Sequence, residues 1–128
     1  MKVLLDTNAL MMPEQFGVDI FSELERWGYV EHLVPEAVIR ELTWLSENAG
    51  SGRDKRAARV GLGLAEGCQK VEGQGHADDV LEELALKTGA AVLTSDKALK
   101  KRLFSRGITV IYLRQSRYLE LCGRNSDV

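Results

Sequence analysis

Cysteine is scarce in this 128-residue chain: Cys68 and Cys122 stand alone, with no CxxC pair. Such isolated thiols argue against a disulfide framework and against a zinc site. No apolar run approaches the roughly 20 residues that cross a bilayer, so no membrane span is expected. The first apolar run starts at Met1 with a single Lys and no cleavable hydrophobic segment. No secretion signal is therefore visible, and a cytoplasmic address is expected. Strong basicity is missing as well, with a formal net charge of −2, whereas nucleic-acid binders are usually basic overall. That sum does not exclude a nucleic acid, because an acidic metal-binding cluster subtracts from it while a basic rim still steers phosphates. Neither an internal repeat nor a low-complexity tract is present.

What remains is the material of one ordinary core. Hydrophobic residues make up 45% and charged residues 28%, as in globular proteins, and the length suits a single domain over residues 1–128. The opening stretch Met1-Lys2-Val3-Leu4-Leu5-Asp6-Thr7-Asn8 is an apolar run that stops on a carboxylate. Short Val- and Leu-rich runs bounded by polar turn residues read as buried strands, and ligands of open α/β sheets sit beyond the carboxyl ends of strands. On this stretch alone two readings of Asp6 stay open: a chemical group, or a turn residue bonding to nearby backbone.

Residues 9–17, with Pro13 and Gly17, read as a connection with room for a helical turn. Further strands are expected at 30–34, 69–72, 91–94 and 108–113. Helices are expected over 19–27, 35–47, 53–66, 77–88 and from 96 to about 106, each set by an apolar stripe and a cap or stop residue. Gly61 and Gly63 inside the 53–66 helix point to close packing, since glycine there costs roughly 1 kcal/mol relative to Ala. Residues 114–128 read as a tail carrying Arg114, Arg117, Tyr118 and Arg124, frayed at its end, with Leu119 and Leu121 available to dock. Alternating strands and helices imply a parallel sheet with helices on both faces.

Four carboxylates take comparable positions. Asp6 and Asp96 directly follow strands. Val38, Ile39, Leu42 and Leu45 form the inward stripe of their helix and put Glu41 at its edge, with Trp44 one turn along the same flank. A Trp there can stack a base, although packing under a neighbouring helix or subunit is the commoner use. In the 77–88 helix, Ala77, Val80, Leu81, Leu84, Ala85 and Thr88 define the inward face, which sets Asp78 on its border and Asp79 on the far side. Each acid has a dull explanation, Asp96 as a helix cap and Asp78 or Asp79 as a complement to a helix dipole. Together they are harder to dismiss, because like charges held close repel and are costly to desolvate. A divalent cation relieves that cost, and oxygen ligands without His or Cys point to Mg²⁺ or Mn²⁺.

Leu4-Leu5-Asp6-Thr7-Asn8, Glu41 within Val38-Ile39-Arg40-Glu41-Leu42, His76-Ala77-Asp78-Asp79, and Leu93-Thr94-Ser95-Asp96 together resemble the PIN-domain ribonucleases, in order and over essentially the whole chain. The segment from Asp96 to Arg102, followed by Val110-Ile111-Tyr112-Leu113, looks most like the archaeal and eukaryotic branch that includes nucleases processing small-subunit ribosomal RNA. VapC-type toxins share the same acids. The resemblance implies a three-layer α/β/α fold with a five-stranded parallel sheet, and Mg²⁺- or Mn²⁺-dependent cleavage of single-stranded RNA, often by a homodimer. Asp6, Glu41, Asp78 and Asp96 would be the catalytic metal ligands. Thr7, Asn8, Thr94 and Ser95 would orient carboxylates and metal-bound water, and Asp79 would assist through water. Arg53, Lys55, Arg56, Arg59, Lys97, Lys100 and Lys101 would contact phosphates, making binding salt-sensitive. The partner would be an antitoxin or a ribosome-assembly factor. A catalytically silent RNA-binding or assembly module of the same fold is the alternative. Two rivals fit less well: haloacid-dehalogenase-like phosphatases need an Asp where this chain has Asn8, and response-regulator receivers want a Lys after the last strand where it has Arg114.

Overall fold

The computed structural model describes residues 1–123. Its chain runs β1 (Lys2–Leu5), α1 (Thr7–Phe16), α2 (Ile20–Arg26), β2 (Glu31–Pro35), α3 (Glu36–Asn48), α4 (Gly52–Ala65), β3 (Gln69–Val71), α5 (Ala77–Thr88), β4 (Ala91–Leu93), α6 (Lys97–Ser105), β5 (Val110–Arg114) and β6 (Tyr118–Cys122). The strands form one sheet in the order β3-β2-β1-β4-β5-β6. All neighbours pair in parallel except β5 and β6, which are antiparallel.

The sheet splits two apolar sets by the period-2 rule of a strand. Val3, Leu5, Val34, Leu93 and Ile111 point to one face, where α1, α2, α3 and α4 bring Leu10, Met12, Ile20, Leu24, Val38, Leu42 and Ala57. Leu4, Leu33, Val92 and Val110 point to the other and meet Leu81, Ala85, Leu99 and Leu103 of α5 and α6. This is the expected three-layer arrangement, with one difference: the sheet has six strands.

The sixth strand lies in the segment read as a tail. Leu119 is buried in the first core, and its backbone N–H donates to the Glu23 carboxylate of α2 at 3.0 Å. Burial of Leu119 and that bond hold β6 on the sheet edge. The turn that returns the chain is what hides it. Gln115 and Ser116 both have positive φ, 55° and 56°, and Arg117 N–H closes the turn on the Arg114 carbonyl at 3.1 Å. Positive φ at both central positions normally selects Gly or Asn, and neither is present. Arg124 and the expected frayed end lie outside the described residues.

Residues 9–17 also differ from expectation, since α1 occupies most of them. Pro13 stands inside this helix, where proline costs about 3 kcal/mol. Ala9, Leu10, Met11 and Met12 are all buried, and each large apolar side chain returns roughly 1.5–3 kcal/mol on burial. Burial therefore outweighs the breaker. Gly17, with φ 68°, then ends the helix. Of the two glycines expected to permit close packing, only Gly61 does so: a Cβ there would lie 3.1 Å from the Leu10 carbonyl oxygen, whereas one at Gly63 would meet nothing within 4 Å.

Candidate active site

The strand order reverses between β1 and β4: the chain builds β1, β2 and β3 outward, then returns to place β4 on the other side of β1. At such a switch point the connections leave in opposite directions and open a crevice beyond the strand ends. Asp6 follows β1 and Asp96 lies three residues after the end of β4, so the fold carries both acids to this crevice.

Asp6 is the N-cap of α1 and is 5% exposed. Its Oδ1 accepts from Thr7 N–H at 2.6 Å, and its Oδ2 accepts from Asn8 Nδ2 at 3.1 Å and from Thr94 Oγ1 at 2.8 Å. Thr94 is fully buried and its hydroxyl also accepts from Asp96 N–H at 3.1 Å. The Asn8 Oδ1 in turn accepts from Ser95 N–H at 2.8 Å. Asn8 and Thr94 thus staple the end of β1 to the end of β4. Asp96 caps α6, its Oδ1 accepting from Leu99 N–H at 3.0 Å.

Electrostatics show which carboxylates share this place. Burial pushes Asp6 from its ordinary 3.8 up to about 6; the bonds from Thr94 and Thr7 oppose the rise, and the charges of Asp78 and Glu41 add to it. Asp78 is also raised, first by burial and then by Asp96, with Arg102 acting against both. The four predicted acids therefore form a connected series, Glu41 to Asp6 to Asp78 to Asp96. Glu41 reaches it from the second turn of α3 and is exposed, while Asp78 stands in the first turn of α5 and is half-buried.

Asp79 behaves differently from its neighbour. It accepts from Arg102 Nη2 at 2.6 Å, and this bond holds its carboxyl below the usual range. Arg102 simultaneously donates to both Glu82 oxygens, at 3.1 and 3.2 Å. The guanidinium thereby ties α5 to α6 beside the acids. The charge on α6 had suggested phosphate contact alone; this cross-helix pairing had no signal in the sequence, because residues 79, 82 and 102 are linked only by the packing.

The predicted basic residues occupy two helices. On α4, Arg53, Lys55 and Arg56 lie toward its start, and Arg59 donates to the Ser46 carbonyl of α3 at 3.3 Å. On α6, Lys97 follows the Asp96 cap, and Lys97, Lys100 and Lys101 line a shallow groove with Phe104 and Cys122. Lys100 Nζ stands 3.5 Å from the centre of the Tyr112 ring, a cation–π contact.

The donor set suits a hard divalent cation in kind: the carboxylates of Asp6 and Asp78, raised by burial and by neighbouring acids, and a Thr7 hydroxyl that is buried without a hydrogen-bond partner among the described residues. A buried unsatisfied hydroxyl calls for a water or ion. Among the described residues, no three His, Cys, Asp or Glu side chains already stand close enough to enclose a metal. Mg²⁺ tolerates this, because it keeps several waters and takes only one or two carboxylates directly.

Comparison with known proteins agrees with this geometry. Residues 3–116 match the family described as PIN like domain. Ribonuclease VapC9 of Archaeoglobus fulgidus is 37% identical over 113 residues, covering 88% of this chain and 83% of its own. Ribonuclease VapC4 of Methanocaldococcus jannaschii is 27% identical over 127 residues, covering 95% and 97%. Among solved structures, that of the PIN domain endonuclease Utp24 superposes with a TM-score of 0.73 at 22% identity, over 94% of this chain and 90% of that one. A domain of a functionally unknown M. jannaschii protein superposes with a TM-score of 0.57 at 18% identity, over 88% and 91%. The chain belongs to the PIN-domain ribonuclease family.

Proposed function

We propose that the protein is a divalent-metal-dependent endoribonuclease that hydrolyses phosphodiester bonds of single-stranded RNA, leaving a 3′ hydroxyl and a 5′ phosphate. The observation that carries this reading is the convergence of Glu41, Asp6, Asp78 and Asp96 at the switch-point crevice, each coupled electrostatically to the next. Asp6, Glu41, Asp78 and Asp96 would hold Mg²⁺ or Mn²⁺, which supplies an activated water and offsets phosphate charge when bound. Asn8 and Thr94 fix the Asp6 carboxylate, and Thr94 and Ser95 fix the chain entering Asp96. Thr7 offers its hydroxyl to bound water. The Asp79 side chain, held by Arg102, reaches the site only through water.

Lysines of α6 and the basic start of α4 receive the RNA backbone. The named sequence relatives are VapC ribonucleases, which favours a toxin acting as a homodimer in the cytoplasm and held by an antitoxin over a role in ribosomal-RNA processing. No helix among the described residues is long and apolar enough to cross a membrane.

The test is cleavage of an unstructured oligoribonucleotide with Mg²⁺ or Mn²⁺ and its loss in EDTA. Asp6→Asn abolishes it with an unchanged circular dichroism spectrum. Wild-type protein that binds this RNA but never cuts it, across metals and substrates, establishes the silent binding module instead. For the toxin role, expression arrests growth and co-expression of a small neighbouring protein rescues it; normal growth at high expression of active protein refutes it.

A further inference from the structure

Two tryptophans are present and the fold uses them differently. Trp27 is half-buried and packs against the first core. Trp44 is 60% exposed, although α3 has a complete inward face without it: Val38 and Leu42 are buried, with Ile39 and Leu45 packed against the same core. Packing within the chain therefore does not explain Trp44.

Its position on α3 does suggest a use. Residues 37, 41, 44 and 48 recur at the i, i+4, i+7, i+11 spacing of one helix stripe. Ala37 on this stripe is buried, and Glu41 is the residue that acts on Asp6. The stripe therefore leads from the acidic crevice outward to Trp44. Side chains on a helix lean toward its N-terminus, which directs Trp44 toward the turn that carries Arg40 and Glu41. The Asn48 side chain donates to the Trp44 carbonyl at 2.9 Å, which steadies this last turn. Arg40, four residues before Trp44, lines a polar groove with Gln74, Lys87, Glu36 and Glu72. The two carboxylates offset the two cations there, so charge alone gives this groove little hold on a phosphate backbone.

We propose that Trp44 is a stacking platform for a base of the RNA strand flanking the scissile phosphate. The inference rests on the nuclease reading and adds a nucleotide subsite to it. Single-stranded nucleic acid is commonly held by bases stacking on exposed aromatic side chains. Stacking accepts any base, so the subsite contributes affinity and register without a sequence preference.

The test uses full-length protein and an unstructured oligoribonucleotide. Trp44→Ala raises KM for cleavage about ten-fold, the size of one stacking contact. Trp44→Phe recovers most of the loss, while Trp44→Leu, apolar but not aromatic, does not. In a Trp27→Phe background, titration with the same RNA quenches the remaining Trp44 fluorescence, read in EDTA and in Mn²⁺. Quenching without cleavage refutes the nuclease reading and leaves the subsite standing. Cleavage with an unchanged KM in Trp44→Ala and no quenching overturns the subsite. A dimer that becomes a monomer in sedimentation on Trp44→Ala also overturns it, assigning the ring to an interface between copies.

Discussion

Asp6→Asn is expected to stabilise the metal-free protein at neutral pH while destroying its activity. A carboxyl raised from 3.8 to about 6 carries about 3 kcal/mol of strain when ionised, at 1.36 kcal/mol per unit. The sign follows from proton linkage: between these values the folded state binds more protons than the unfolded chain, so stability falls as pH rises. The contribution is fully present below 3.8 and is lost by a little above 6, with roughly half of the loss falling between pH 5 and 7.5. Replacing the acid by its amide removes this dependence. It also costs the bond from Asn8, whose amide cannot turn round because its oxygen already serves Ser95 N–H, about 1 kcal/mol. The net gain near pH 7.5 is then about 2 kcal/mol. Urea unfolding followed by tryptophan fluorescence, in EDTA at several pH values, measures it. Excess Mn²⁺ should restore the wild type by mass action and act weakly on the variant. Parallel pH profiles for the two proteins, or a less stable variant at pH 7.5, would refute the reasoning.

Four further substitutions test the supports of the site and the helix packing behind it. Thr94→Val removes the donor to Asp6 and the acceptor of Asp96 N–H; a loss of about 1–3 kcal/mol in chemical denaturation is expected, with reduced cleavage. Gly63→Ala should raise stability by up to about 1 kcal/mol, because its Cβ meets nothing, whereas Gly61→Ala should lower it by forcing α1 away at Leu10; the two midpoints moving together would contradict the packing. Arg102→Met should cost little stability in chemical denaturation, since its partners are surface pairs of small net worth, and the difference should fade in high salt.

The layers and most elements were legible because each rests on local chemistry: short continuous apolar runs in β1, β4 and β5, apolar stripes in α3 and α5, and the Asp96 cap of α6. Two elements were hidden where a local rule lost to tertiary burial. Pro13 signals a break, yet four buried neighbours hold α1 together around it. Gln115 and Ser116 carry none of the glycine or asparagine that announces a tight hairpin, so the return strand β6 was invisible until Leu119 and Glu23 were seen to dock it. For the site, helix position separated Asp78 from Asp79 correctly in exposure. What engages Asp79 depends on α5 meeting α6, which no stretch of either helix announces.

Arg102 also explains why the crevice stays acidic. It opposes the rise at Asp78, as His76 also does, and its three hydrogen bonds go to Asp79 and Glu82. The largest influences on Asp6 include no cation: burial, Asp78 and Glu41 raise it, and the neutral donors of Thr94 and Thr7 resist. A fixed positive side chain in that position would stabilise the folded chain, yet it would also occupy the charge that a metal must meet. The fold instead leaves Asp6 buried, held in place by Asn8 and Thr94, so that on the proposed reading the stability it forgoes would become differential affinity for a divalent ion. On this logic stability and activity are opposed at one carboxylate, and the amide variant should separate them.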